Sequence, residues 1–367
     1  MTVNVLPIVA IAVSAVLGAA GTMAVRRVST RRGFVDRPGG HKAHATPVAL
    51  GGGVAVTLAA TLPILVGGAA AWWLSSARPA WLPGDIAIQL GGILSKMPAA
   101  LAVVGGAWAL CIVGLIDDAR TVRPLTRLIV QVAVAAILVV GFNIRLLSHS
   151  GWPISALLSI AWIVTLINSF NFLDNMDGLA SGVAVIAASI FAIAAMRAGQ
   201  IFVPTCCWLL VGAILGFLPF NWHPATIYIG DAGSTVIGLL LGVYTILTTF
   251  ADPALGMHPF GVLAPLVVMA VPLYDTASVF ALRIRSGQPI WQGDRRHFSH
   301  RLVRRGMSVP QAVLVIWLAT LVCAMPAIAL STADWILAAG IVVQTLLVVS
   351  LVALLEWSGG HGSNEGR

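Results

Sequence analysis

Apolar runs of about 20 residues follow one another along almost the whole chain, and they limit the possible fold more than any other feature. A helix that crosses a bilayer needs roughly this length. Because the hydrocarbon core offers the backbone no hydrogen-bond partner, mainly helices and closed barrels can span it. We therefore expect an all-α, polytopic integral membrane protein.

The runs predict about eleven transmembrane helices with no soluble domain between them. We expect one transmembrane domain over residues 1–357 and a disordered polar tail over 358–367. The longest predicted breaks are 26–49, 75–97 and 283–308. The predicted helices lie near 5–25, 50–74, 98–116, 125–143, 153–168, 178–196, 202–219, 233–250, 260–282, 309–330 and 335–356.

The composition agrees with a membrane protein, since 59% of the residues are hydrophobic and 9% are charged. A soluble domain carries about 25% charged residues. The four cysteines lie in apolar runs without zinc-like spacing, which predicts small buried side chains. The net charge of +8 lies in short loops, which favours topology control and anionic phosphate ligands over nucleic acid.

The basic residues are distributed unequally between the two sides of the membrane. Of 21 Lys and Arg residues, only Arg78, Lys96, Arg145 and Arg197 lie in the loops of one side. The positive-inside rule then places the N-terminus outside and the other loops in the cytoplasm. Most aspartates share the cytoplasmic side, which the rule does not require and a functional site would explain. These are Asp36, Asp117, Asp118, Asp174, Asp177, Asp231 and Asp294.

Three acidic motifs lie at predicted helix ends. Adjacent Asp117 and Asp118 end one helix and require a nearby positive charge or a proton. In a second motif, steps of three would place four polar residues on one face if the segment were helical. Its members are Asn168, Asn171, Asp174 and Asp177. The third is Gly230-Asp231-Ala-Gly233-Ser234, where Ser234 is expected to cap the next helix.

Two basic loops accompany these motifs. One contains His297, His300 and Arg301, with the histidines three residues apart and thus able to share a helix face. The other contains Lys42 and His44. Both loops carry cations that suit a diphosphate. A zinc pair at the histidines lacks a third ligand nearby.

Each motif also has a plain structural interpretation. Asp117 and Asp118 could end a helix with Arg120 and Arg123 as counter-ions, the second motif could be a solvated loop, and the basic loops could contact lipid headgroups. The five clusters nevertheless share one side and together supply metal ligands and anion-binding cations. That combination is typical of phosphoryl transfer.

Four spaced motifs resemble the polyprenyl-phosphate N-acetylhexosamine-1-phosphate transferase superfamily, and the resemblance covers nearly the whole chain. The motifs are Asp117-Asp118, Asn171-x-x-Asp174-x-x-Asp177-Gly178, Gly230-Asp231-x-Gly233-Ser234 and His297-x-x-His300-Arg301. The stretch VDRPGGHKAH resembles the bacterial undecaprenyl-phosphate N-acetylglucosaminyl branch. It does not resemble the phospho-MurNAc-pentapeptide transferase branch.

The resemblance implies transfer of a sugar 1-phosphate, expected to be N-acetylglucosamine 1-phosphate, from a UDP-sugar to undecaprenyl phosphate. The products are an undecaprenyl-diphosphate sugar and UMP, and the reaction would initiate cell-envelope glycan synthesis. It also implies Mg²⁺, with Mn²⁺ as a substitute, a bacterial inner membrane, a cytoplasmic active site and a homodimer.

The resemblance also implies residue roles. Asp231 would be the principal metal ligand and Asn171 a second one. Asp117 and Asp118 would orient or deprotonate the lipid phosphate. The expected substrate-binding residues are Lys42, His44, Asn168, Asn171, Asp174, Asp177, Tyr228, His297, His300 and Arg301.

Two departures from the family pattern concern the sugar and phosphate contacts. Ser299 stands where the family often has a histidine, and Ala49-Leu50 precedes Gly51 where it often has an arginine. Another N-acetylhexosamine or phospho-MurNAc-pentapeptide is therefore an alternative donor. Outside this reaction class, the alternatives are a lipid or sugar transporter, for which Asp275 is the one intramembrane acid, and a non-catalytic scaffold.

Overall fold

The computed structural model describes residues 5–37, 47–79, 82, 84–147, 151–287 and 297–357. These residues form α-helices joined by short connections. The helices are α1 (Leu6–Arg32), α2 (Gly52–Ala77), α3 (Gly84–Ala119), α4 (Pro124–Ala136), α5 (Trp152–Leu173), α6 (Leu179–Arg197), α7 (Phe202–Asn221), α8 (Gly230–Leu247), α9 (Ala264–Val268), α10 (Ala270–Arg285), α11 (Phe298–Arg304), α12 (Val309–Ala324) and α13 (Trp335–Trp357). A π-helical turn, Ile137–Gly141, extends α4, and 3-10 segments cover Pro253–Leu255, Pro259–Leu263 and Met325–Ala329.

Within the described residues, ten helical segments are long and apolar enough to cross a bilayer. A further pair, Pro259–Val268 and Ala270–Arg285, passes the same test together but bends by 60°. Pro272 has no backbone N–H to bond the carbonyl four residues earlier, which accounts for a break at this point. The expected all-α, polytopic membrane fold is confirmed, with eleven spans when the bent pair is counted as one.

Several helix ends differ from the prediction. The break expected over 75–97 is wrong, because α3 begins at Gly84, and α8 begins three residues earlier than expected, at Gly230. Similarly, α1 continues to Arg32. An apolar run marks the part of a helix that suits lipid, whereas backbone hydrogen bonding continues into the flanking residues.

A small two-stranded hairpin adds to the expected helices. Strands β1 (Val35–Asp36) and β2 (Val48–Ala49) pair antiparallel. Ala49 also forms a parallel bridge with Ile227, and its carbonyl accepts a hydrogen bond from the Tyr228 N–H. Strand β2 therefore joins β1 to the segment that precedes α8.

Helix α8 lies at the centre of the bundle, where it packs against α2, α3 and α5. Every residue from Ala232 to Thr245 is buried. Glycines permit this close approach: a Cβ at Gly53 of α2 would lie 2.2 Å from the Gly233 nitrogen, and one at Gly114 of α3 would lie 2.4 Å from the Ala232 nitrogen. The end of α3 and the start of α8 are therefore in backbone contact.

One connected hydrophobic core extends from Ala49 to Val352. This continuity is what a single transmembrane domain requires. The expected domain limits stay a prediction, because the tail 358–367 lies outside the described residues.

We expect Gly114→Ala to lower the free energy of unfolding by about 1–3 kcal/mol, the usual cost of overpacking. The added methyl group would meet the backbone of Asp231 and Ala232. Thermal unfolding of the purified protein in detergent measures the effect.

Gly105→Ala is the matched control on the same helix, because a Cβ there has no atom within 4 Å. It should leave the unfolding temperature unchanged or raise it slightly. Equal unfolding temperatures for the two variants would contradict a backbone contact at Gly114.

Candidate functional site

Three helix ends bring the predicted aspartates together. Asp117 and Asp118 lie in the last turn of α3, Asn171 lies near the end of α5, and Asp231 lies in the first turn of α8. Hydrogen bonds and ion pairs connect all of them. We call Asp117, Asp118, Asp174 and Asp231 the carboxylate cluster.

Asp118 caps α8 from another helix. Its Oδ1 accepts a hydrogen bond from the Asp231 N–H at 3.0 Å, and its Oδ2 accepts one from the Ala232 N–H at 3.4 Å. These amides lie in the first turn, where no intrahelical acceptor exists, and the helix dipole there favours an anion. Asp118 therefore holds the backbone that carries Asp231.

The predicted capping role of Ser234 is wrong. Helix α8 starts at Gly230, so Ser234 lies inside it, and its hydroxyl donates to the Gly230 carbonyl at 3.0 Å. The same oxygen accepts a hydrogen bond from Asn171 at 3.2 Å. Ser234 thus connects α8 to α5 rather than capping α8.

Asp174 lies just after α5 and accepts a hydrogen bond from the Gly230 N–H. Burial raises the pKa of this carboxyl well above its usual range, and the charges of Asp231, Asp118 and Asp177 raise it further. The Gly230 hydrogen bond acts in the opposite direction. In the absence of a cation, ionised Asp174 therefore destabilises the fold.

Arg127, in the first helical turns of α4, is the cation that joins the cluster. One of its guanidinium nitrogens, Nη1, forms an ion pair with Asp117 and lies 2.5 Å from Asp231 Oδ2. Asp117 also accepts a hydrogen bond from the Val122 N–H at 2.5 Å. The turn between α3 and α4 thus folds Arg127 back onto the helix end.

Sequence reasoning missed Arg127 and considered Arg120 and Arg123 as the counter-ions. Both of those residues are exposed, and it is Arg127 that pairs with Asp117 and Asp231. A helix start at Pro124 would have been the available signal. It turns the chain back after Asp118 and places the first turns of α4 beside the end of α3.

Asn171 contacts the proposed metal ligand directly. Its amide nitrogen donates to Asp231 Oδ1 at 2.8 Å. The amide oxygen and nitrogen of an asparagine exchange places when the amide group rotates by half a turn. Asn171 could therefore present either atom to its neighbours. The two residues named as metal ligands therefore lie side by side.

The polar stripe predicted over 168–177 is only half helical, because α5 ends at Leu173. Asn168 donates to Gln131 at 2.7 Å and to the Val164 carbonyl, and so joins α5 to α4. Asp177 lies in the turn after α5. It pairs with His223 at 2.8 Å and accepts from the Ala225 N–H at 3.0 Å.

Asn221, at the end of α7, is a second residue to which the sequence assigned no role. Its Oδ1 accepts hydrogen bonds from the Gly178 N–H and the Ser181 hydroxyl, and its Nδ2 donates to the Ile227 carbonyl. The side chain is buried. Asn221 therefore holds the loop before α6 and the loop before α8 together. The only sequence signal for this role is its position between the motif that ends at Gly178 and the motif that begins at Gly230.

Tyr228 lies between the hairpin and the aspartates. Its pKa is raised to about 12 by burial and then by the charges of Asp177, Asp36 and Asp174. Its hydroxyl thus remains protonated at neutral pH in an acidic environment. Lys42 and His44, the other residues expected near here, lie outside the described residues.

Helix α11 brings the histidine motif to the same region. His297 precedes the helix, and its ring centroid lies 6.1 Å from that of Phe172, the neighbour of Asn171. Ser299 donates to Asn175 Oδ1 at 2.5 Å, so the residue that departs from the family pattern connects α11 to the loop after α5.

The other two residues of the motif lie within α11. Arg301 donates to Ser278 of α10 at 3.1 Å, and His300 is half-buried. The motif therefore lies beside the segment 171–175.

The cluster fits a divalent cation by its charge. Within the described residues, one arginine and the start of α8 offset four carboxylates. No three His, Cys, Asp or Glu side chains among these residues form a ready ligand set. Mg²⁺ takes one or two carboxylates and completes its shell with water and substrate phosphate, so this arrangement suits Mg²⁺ better than zinc.

An apolar groove of about 690 Å³ opens between the ends of α1, α2 and α3 next to the cluster. Leu115, Ile116 and Ala119 line it on α3, and Arg32 and Arg120 are its cationic residues. Its lining is of the kind that an alkyl or isoprenoid chain requires.

Comparison with known proteins agrees with this geometry. Residues 100–249, which include Asp117, Asn171 and Asp231, match the family model described as glycosyl transferase family 4. A decaprenyl-phosphate N-acetylglucosaminephosphotransferase from Mycolicibacterium smegmatis is 33% identical, over 93% of this chain and 86% of the relative. The chain belongs to glycosyl transferase family 4.

Two further relatives are similar to this chain over most of their length. A probable undecaprenyl-phosphate N-acetylglucosaminyl 1-phosphate transferase from Bacillus subtilis is 27% identical over 90% of this chain and 87% of the relative. An undecaprenyl-phosphate alpha-N-acetylglucosaminyl 1-phosphate transferase from Escherichia coli K12 is 26% identical, over 80% and 76% respectively. The resemblance that the motifs indicated is confirmed.

We expect Asp174→Asn to stabilise the metal-free protein at pH 7.5, raising the unfolding temperature by about 2–4 °C. The raised pKa means that ionisation of Asp174 costs stability. That cost begins near pH 4 and grows as the pH rises through the raised pKa.

The advantage of Asp174→Asn should therefore disappear toward pH 4, which thermal unfolding across a pH series measures. Asp252→Asn, an aspartate outside the cluster, is the control. An unfolding temperature below that of the wild type at pH 7.5 would contradict the assigned electrostatics.

We expect Arg127→Gln to lower the free energy of unfolding at pH 7.5 by about 1–2 kcal/mol, since its half-buried guanidinium neutralises two carboxylates. Acidification to pH 5 or millimolar Mg²⁺ should recover part of the loss. Exposed Arg123→Gln is the matched control and should have little effect. A deficit that neither condition reduces would mean that Arg127 acts by packing alone.

Proposed function

We propose that this protein transfers N-acetylglucosamine 1-phosphate from UDP-N-acetylglucosamine to a polyprenyl phosphate, with undecaprenyl phosphate as the expected acceptor. The observation that carries the proposal is the convergence of Asp117, Asp118 and Asp231 with Asn171 at the ends of membrane helices. The products would be the polyprenyl-diphosphate sugar and UMP, and the reaction would initiate cell-envelope glycan synthesis.

The names of the relatives support the acceptor and the transferred sugar. Each of the three relatives described above is named for transfer to a polyprenyl phosphate, decaprenyl in one and undecaprenyl in two, and each name specifies N-acetylglucosamine. The apolar fold around the cluster suits an acceptor that lies in the bilayer. Other N-acetylhexosamines and phospho-MurNAc-pentapeptide are the competing donors.

The proposed reaction is a displacement at phosphorus, with a phospho-enzyme step as the alternative to direct attack. An oxygen of the lipid phosphate forms a bond to the phosphorus that carries the sugar, and the bond from that phosphorus to the bridging oxygen breaks. The electron pair stays on the departing UMP. In such transfers, positioning and charge neutralisation provide most of the catalysis.

Asp231 and Asn171 would hold Mg²⁺, with Mn²⁺ as a substitute. When bound, the cation neutralises charge on the diphosphate and polarises its oxygens. Asp118 uses both oxygens on the backbone of α8. Asp117 is the candidate to orient the lipid phosphate, with its ion-pair partner Arg127 supplying the cation for that contact. The geometry therefore supports a positioning role for Asp118.

The remaining residues divide between the phosphates and the nucleoside. His297, His300 and Arg301 would neutralise the diphosphate from α11, together with Lys42 and His44 of the first loop. We assign the nucleoside and sugar to Asn168, Asp174, Asp177 and Tyr228. The position of Tyr228 beside the aspartates supports this assignment.

We further propose that the N-terminus lies outside a bacterial inner membrane, that the cluster faces the cytoplasm and that the protein forms a homodimer. The distribution of basic residues supports the orientation. A cytoplasmic cluster would meet its soluble sugar nucleotide directly.

A transporter is the alternative from a different class, and the bent pair α9–α10 favours it, because broken helices often form transport sites. Asp275 lies in this pair. However, both of its carboxylate oxygens bond to the start of α11 instead of facing a pathway. Uptake of labelled UDP-sugar by vesicles without UMP release would support transport.

The test is UMP release from a panel of UDP-sugars with undecaprenyl phosphate. We expect turnover with UDP-N-acetylglucosamine that stops on chelation of Mg²⁺. Asp231→Asn and Asp118→Asn should each lower kcat by at least about 100-fold, the usual effect of removing one preorganised electrostatic group.

Asp252→Asn serves again as the control outside the cluster and should retain activity. All variants must be inserted in membranes and monodisperse in detergent. Wild-type turnover by Asp231→Asn would refute the assignment of the site.

A further inference from the structure

Asp275 is a buried acid to which the proposed reaction assigns no role. It lies in α10, the second half of the bent span, and 1% of it is exposed. Burying an ionised carboxylate is costly unless it is paired and hydrogen-bonded. The hydrogen-bond partners of the Asp275 carboxylate therefore indicate its role.

Both partners of Asp275 belong to the start of α11. Its Oδ2 lies 2.9 Å from Nδ1 of His297, and its Oδ1 accepts a hydrogen bond from the Phe298 N–H at 3.1 Å. A carboxylate can only accept in these contacts, so Nδ1 carries the hydrogen. The contact thereby fixes the tautomer and the ring orientation of His297 and leaves Nε2 for another partner.

The surroundings of His297 restrict the ring further. His297 is itself buried, and Phe172 of α5 packs against its ring. The buried guanidinium of Arg283 lies 5.7 Å from the centre of the same Phe172 ring. Arg301, on the next turn of α11, is held by Ser278 of α10.

We propose that Asp275 is a positioning residue that orients the His297 imidazole so that Nε2 meets a phosphate oxygen of the sugar nucleotide. This inference rests on the proposed function. The location supports it, because Phe172 is the neighbour of Asn171, and Asn171 contacts Asp231. Asp275 thus connects the bent span to the phosphate-binding part of the site.

A purely structural role would have a different signature. If Asp275 only capped α11 through Phe298, its replacement and that of His297 would act independently. If it acts through His297, the two replacements share one effect, and the double variant loses little more than the worse single one.

The experiment compares Asp275→Asn, His297→Ala and the double variant by kcat/KM for UMP release. Each single variant should lose about 10-fold to 100-fold, by analogy with the loss seen when a partner that orients a metal-ligating histidine is removed. The double variant should match the worse single variant within about twofold. Multiplicative losses, or an Asp275→Asn variant within about twofold of wild type, would overturn the proposal.

Thr276→Val is the matched control, because Thr276 is a buried polar neighbour on α10 whose hydroxyl bonds to Ser169 instead of α11. It should keep kcat/KM within about twofold of wild type. Asp275→Glu keeps the charge and should retain more activity than Asp275→Asn. If it is no better, the charge of Asp275 does not act through His297.

The nitrogen-15 NMR spectrum of histidine-labelled protein in nanodiscs separates this proposal from the proposed reaction. His297 should show a hydrogen-bonded Nδ1–H in the wild type and lose this signal in Asp275→Ala, whether or not any UDP-sugar turns over. An unchanged His297 signal in Asp275→Ala overturns the positioning role. Absence of UMP release from the wild type, with the NMR result as expected, refutes only the reaction.

Discussion

The carboxylate of Asp118 binds the first free N–H groups of α8, and the rest of the site depends on this contact. It joins the end of α3 to the start of α8, and it places Asp231 opposite Asn171 of α5. The contact requires the helix backbones to approach closely, which glycine permits at Gly114. The same residues therefore determine both how the apolar helices pack and how the acidic side chains are placed.

The cluster concentrates more negative charge than the surrounding protein neutralises. Arg127 offsets Asp117 and Asp231, while the start of α8 offsets Asp118 and Asp174. Within the described residues, the carboxylate cluster keeps an excess of negative charge. A sugar diphosphate that arrives with a bound metal ion would supply a cation to offset it. Unneutralised charges and perturbed pKa values of this kind cluster at functional sites, where a bound ligand offsets the charge.

The basic side of the site is assembled by tertiary contacts at α11. Asp275 holds its start, Ser299 binds Asn175 after α5, and Arg301 binds Ser278 of α10. Asp275 and Ser278 both lie in α10, the second half of the span that bends by 60°. The bent span therefore contacts α11 through these two residues.

The sequence by itself determined the membrane helices, because apolar run length is a local property. Its resemblance to the transferase superfamily predicted that Asp117, Asn171 and Asp231 belong to one site. Only the tertiary structure decided the partner of each group. It replaced Ser234 by Asp118 as the cap of α8 and supplied Arg127 as the counter-ion. The physical reason is that a hydrogen bond or ion pair forms only within about 3–4 Å, and packing between helices distant in sequence sets which groups come that close.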